Sequence, residues 1–72
     1  MPVFNAFISY VDSTEEDGDR LWVRYATQPG RFFVRARKQE LVAELKRSKQ
    51  TGALVEVTFN PHTTEIADVV RR

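Results

Sequence analysis

The chain has 72 residues, no cysteine, one histidine and a formal net charge of +1. One domain spanning residues 1–72 fits this length and two do not, because so short a chain buries only about 60% of its unfolded surface on folding. The composition excludes disulfides and the usual zinc sites, no stretch has the length and apolarity of a membrane span, and the N-terminus lacks a signal-peptide pattern. The expectation is a soluble cytoplasmic protein with neither metal nor cofactor.

The small net charge conceals a segregation. Residues 12–19 carry five carboxylates (Asp12, Glu15, Glu16, Asp17, Asp19) and no base, a local charge of −5, so the rest of the chain sums to +6. Residues 20–38 hold six basic groups and no acid. Two electrostatic surfaces are therefore expected, and their relative placement decides what the protein can bind.

In chain order, residues 3–11 are rich in β-branched and aromatic side chains and apolar in both registers. That pattern fits a strand buried on both sides, or one that bends to serve two sheets. Pro2 is expected at its edge, where a missing N–H costs little. Residues 12–19, with Asp17-Gly18, read as a solvated acidic hairpin loop. A calcium loop fits poorly, since counting from Asp12 puts Asp17 where the glycine belongs and Val23 where the glutamate belongs.

Period-two alternation places Leu21, Val23 and Tyr25 on one face of a second strand and Arg20, Trp22 and Arg24 on the other. The third strand repeats this, with Phe32, Val34 and Ala36 opposed to Arg31, Phe33 and Arg35. Pro29-Gly30 supplies the fixed negative and then positive φ of a type II turn between them. Residues 37–50 change to helical spacing through Leu41, Val42 and Leu45, with no evident N-cap and with Gly52 as the stop. Residues 53–59 alternate as a fourth strand. After Asn60-Pro61, residues 65–70 read as a fifth strand on β-branched density; the competing reading is an N-capped helix with Ile66, Val69 and Val70 on one face.

The order strand, strand, strand, helix, strand, strand resembles the oligonucleotide/oligosaccharide-binding (OB) barrel, a partly open five-stranded Greek key. The resemblance is one of topology and no motif carries it. The expected fold is mostly β (α+β), a small OB-like barrel with its helix between the third and fourth strands. The alternative is a three- or four-stranded antiparallel sheet with two helices.

Arg20, Trp22, Arg24, Arg31, Phe33 and Arg35 form the one patch with a functional mechanism. Aromatic rings in a basic groove stack on bases, and arginine adds phosphate pairing. The leading expectation is a non-catalytic module for single-stranded DNA or RNA. The alternative is a protein-interaction module or small accessory subunit, including a homo-oligomer, with Trp22 and Phe33 as anchors. No catalytic residue is proposed, because the chain lacks cysteine, a phosphate loop and a nucleophile elbow, and His62 falls in a turn.

Overall fold

In the computed structural model, which describes residues 3–72, the expected first strand divides at Tyr10. β1 (Asn5–Ser9) joins one sheet and β2 (Val11–Asp17) the other, so one nearly continuous extended run serves both. β3 (Arg20–Tyr25), β4 (Arg31–Arg35), α1 (Gln39–Thr51), β5 (Val55–Phe59) and β6 (Ile66–Arg71) follow. The sheets are antiparallel, three-stranded and ordered β1-β5-β6 and β2-β3-β4. Pro2 lies outside the described residues. No helix among the described residues is long and apolar enough to cross a membrane.

Residues 12–17 are strand and not loop, contrary to expectation. β2 pairs with β3 up to Asp17 opposite Arg20, and the turn is confined to Gly18, at φ +59, and Asp19. The charged run is tolerated as a strand because its carboxylates stay wet: Glu15 and Asp17 are exposed, and Glu16 meets Lys46 of α1 at 3.5 Å. A bulge between Val11 and Ser13 takes up Asp12 and keeps Val11 in the core.

The five-stranded barrel is likewise corrected. The strands form two separate sheets with no closed barrel; no ladder joins β4 to β6, and β4 makes an isolated parallel bridge from Phe33 to Glu65, just before β6. The three-stranded sheets match the alternative expectation, with one helix instead of two. The second helix is absent because Asn60 caps a turn rather than a helix: its Oδ1 accepts from the His62 N–H at 2.8 Å, and its own N–H donates to Glu65 at 2.9 Å. Alternation alone could not bury both Ile66 and Val69. A bulge opposite Thr58 and Phe59 shifts the register so that both point inward and Asp68 stays outside.

α1 starts two residues later than its periodicity predicts, after Lys38, which gives no side-chain cap. It ends at Gly52 (φ +72), whose N–H donates to the Ser48 carbonyl at 2.8 Å. Between the sheets lies one apolar cluster, from Val11, Val23 and Val34 to Val55, Val57 and Ile66, closed at one end by Leu45 of α1. Phe7 joins the sheets, with its ring 4.9 Å from Tyr25 and 5.3 Å from Phe32. Burial pushes the Tyr25 hydroxyl pKa up, and no partner among the described residues meets that hydroxyl.

Two buried serines tie the layers together. Ser48 Oγ accepts the Val11 N–H at 3.0 Å and donates to the Ala53 carbonyl at 2.7 Å, which joins the start of β2, the helix and the approach to β5. Ser9 Oγ accepts the Thr27 N–H at 3.2 Å and the Thr27 hydroxyl at 2.8 Å. Ser48→Ala strands a buried donor and acceptor together. A loss of about 2 kcal/mol is expected, and thermal unfolding should show it as a fall in Tm of roughly 8–16 °C for a domain this size.

Across the helix, Arg71 holds Glu44 through three bonds of 2.7 to 2.9 Å. These hydrogen bonds, with the charges of Arg71 and Arg47, keep the Glu44 carboxyl below its ordinary pKa. A lowered carboxyl pKa contributes stability that is present above the unfolded value and lost as pH falls through the folded one. Thermal melts from neutrality to below about pH 4 should therefore show a shallower acid decline in Glu44→Gln than in the parent chain.

Candidate binding face

The β3–β4 register sets Arg20 opposite Arg35, Trp22 opposite Phe33 and Arg24 opposite Arg31. With period-two alternation, all six residues share the side of the sheet facing away from Val23 and Val34. Like charges directly across a ladder repel. Here the rings between them accept the guanidinium groups: Arg31 lies 4.3 Å from the Trp22 centroid, and Arg20 and Arg35 lie 4.7 and 5.6 Å from that of Phe33. Trp22 and Phe33 contact each other at 5.2 Å.

The two rings differ in access. Trp22 is half-buried, whereas Phe33 is only 5% exposed although it lies on the outer face. Its cover comes from its own arginines and from the segment before β6. The Phe33 N–H donates to the Thr64 carbonyl at 3.1 Å, and Arg35 reaches Asp19 at 3.2 Å and Glu65 at 4.0 Å. Thr64 is held at φ +64, a left-handed conformation that a β-branched residue adopts only under strain. Its N–H bond to the Asn60 carbonyl at 2.7 Å and its acceptance of the Phe33 N–H hold it there.

β2 adds a column that charge counting could not place. Ser13 lies opposite Arg24, Glu15 opposite Trp22 and Asp17 opposite Arg20. The face therefore has carboxylates at its borders, Glu15 and Asp17 along β2, Asp19 in the turn at one end and Glu65 beside Arg35, with arginines and rings between. Among the described residues, Arg20, Arg24 and Arg31 have no carboxylate within 4.0 Å. Arg24 and Arg31 are exposed and, with Ser13, Glu15 and Trp22, line a small cleft of about 50 Å³. A wider cleft of about 210 Å³ lies between Asp19, Arg35 and Arg37.

The sequence reading missed Ser13, Glu15 and Asp17. Their shared register was the available signal, but five acids in eight residues read as solvated loop. His62 is exposed in the turn, and no group of three or more metal-ligating side chains occurs among the described residues. The arrangement suits recognition of an anionic group by Arg24 and Arg31 beside an aromatic edge. Arg31→Ala should uncover Trp22, leaving the far-UV circular dichroism unchanged while acrylamide quenches the Trp22 fluorescence more steeply.

No protein-family model and no curated protein matches the sequence. Among solved structures, the chain is similar to pro-protein-glutaminase, with a TM-score of 0.84 and 12% identity, over 96% of this chain and 26% of that one. A mutant of the same protein gives a TM-score of 0.85 at 12% identity, over 97% and 26%. The chain thus spans about a quarter of the length of these neighbours, and at this identity the likeness is one of fold.

Proposed function

We propose that the chain is a protein-interaction module whose β2-β3-β4 outer face binds acidic side chains of a larger partner. The observation that carries this reading is the stacking of Arg31 on Trp22 and of Arg20 and Arg35 on Phe33. The ring faces that would stack on bases are already covered by the chain's own guanidinium groups. The outward N–H groups of Arg24 and Arg31 remain available for the bidentate pairing that carboxylates favour. The fold likeness agrees with a large partner, since the same fold makes up about a quarter of pro-protein-glutaminase, a pro-form of an enzyme.

A second reading, single-stranded nucleic acid on the same face, draws on the connectivity. β1 and β2 together act as one bent strand shared by both sheets, and the Phe33–Glu65 bridge is parallel. An OB-type barrel opened between its halves would have such pairings, and on that reading β3 and β4 would carry the ligand. Against it, Glu15 and Asp17 border the face and repel phosphates.

Low-salt titrations with a blocked hexaglutamate peptide and with a short oligothymidylate separate the readings. The protein-interaction reading expects the peptide to shift the amides of β3 and β4, Arg24→Ala with Arg31→Ala to abolish that shift, and the oligothymidylate to leave Trp22 fluorescence unquenched. Quenching by the oligothymidylate with steep salt dependence selects the nucleic-acid reading. Binding of neither probe overturns both. Release of ammonia from a glutamine-containing protein by the purified chain would overturn a purely binding role.

A further inference from the structure

The two sheets turn their buried sides toward one core, so each has an outward side, and the two outward sides are unlike. On β1-β5-β6 the register sets Ile8 opposite Glu56 and Glu56 opposite Val70, with Ala6, Thr58 and Asp68 in the next row. Period two places these residues on the side away from the buried Val55, Val57 and Val69. Tyr10 and Leu54 extend the β1 and β5 columns by one step each. The Arg72 N–H continues the ladder there, donating to the Leu54 carbonyl at 3.2 Å.

Four large apolar side chains stand in two adjacent rows of this face: Ile8, Tyr10, Leu54 and Val70 are each between 40 and 49% exposed. Single exposed apolar residues are ordinary. Four around one residue form a patch, and at these exposures they present roughly 400 Å², in the range that marks interaction sites. Only Glu56 and Arg72 bring charge into the two rows, and they answer each other at 3.7 Å.

We infer that two copies of the chain meet through this face, sheet on sheet, about a two-fold axis that crosses β5 between Leu54 and Glu56. An axis running across the strands exchanges the two rows. Ile8 of each copy then meets Tyr10 of the other, Leu54 covers the stem of Glu56, and Val70 lies under the stem of Arg72. Each Glu56 has the Arg72 of both copies beside it, while Asp68, one row further out, stays clear of its counterpart. With the stems of Glu56 and Arg72 the face offers roughly 550 Å² per copy, so a pair buries about 1,100 Å², just above what a specific interface needs. Charge balance favours a second copy as the occupant. The two rows are neutral and answer themselves, whereas the arginine face holds Arg24 and Arg31 unpaired at its centre and repels its own copy. The two faces lie on opposite sides of the core, so this inference and the proposed arginine face fail independently.

The test is sedimentation velocity of the intact chain from about 10 μM to about 1 mM, with amide chemical shifts followed over the same range. The expected result is a reversible monomer–dimer equilibrium, with concentration-dependent shifts centred on Ile8, Tyr10, Leu54, Glu56 and Val70. Leu54→Glu and, separately, Val70→Lys should keep the far-UV circular dichroism of the parent. Each should raise the dissociation constant at least about tenfold, because the new charge meets the like charge of Glu56 or Arg72 across the axis. Arg24→Ala with Arg31→Ala should leave dimerisation unchanged. The inference is overturned if the chain stays monomeric at about 1 mM, if the shifts fall on β3 and β4, or if the dimer survives both Leu54→Glu and Val70→Lys. A monomer whose β1, β5 and β6 amides shift on addition of neutral phosphatidylcholine vesicles also overturns it, by assigning the face to a lipid surface.

Discussion

The hydroxyl of Ser48 sits where one extended run passes directly from the first sheet into the second. An extended run that leaves one sheet and enters another exposes backbone groups at the bend, and a buried N–H without a partner is costly. The bond from the Val11 N–H to Ser48 Oγ satisfies that donor from the helix, and the bond from Ser48 to the Ala53 carbonyl fixes the chain where it heads into β5. Two bonds from one small side chain thus tie the start of β2 and the approach to β5 to α1. The core that Phe7, Leu45 and the central valines fill depends on that tie.

The arginine and aromatic face is a different kind of construction, since charge repulsion across the β3–β4 ladder is offset locally, ring by ring. Arg20 and Arg35 share Phe33, Arg31 takes Trp22, and Asp19 with Glu65 steadies Arg35. What remains outward is the pair Arg24 and Arg31, bordered by the acidic column of β2. On the proposed binding role, such a face would favour a partner that offers anionic groups at the centre without bringing others against Glu15 and Asp17.

The likeness to pro-protein-glutaminase at 12% identity shows how little of this fold resides in particular residues. The same backbone is reached from a different sequence. At that identity the likeness extends to the fold and not to the buried-serine ties or the Arg31–Trp22 stack. Any function therefore resides in this chain's own side chains.

By itself the sequence determined the strands and their faces wherever one side is buried. Leu21, Val23 and Tyr25 against Arg20, Trp22 and Arg24 follow from a period of two, and the helix ending at Gly52 follows from a period near 3.6 and one permissive glycine. The tertiary structure decided what depends on distant partners. Residues 12–17 became a strand because β3 offered them an edge, residues 66–71 became a strand because a bulge let Ile66 and Val69 share the core, and the barrel became two sheets because no ladder joins β4 to β6. It also decided that the ring faces are covered, since cation–π contacts arise between residues on neighbouring strands. Local propensity is written in adjacent residues, whereas register and cover belong to pairs that only folding brings together.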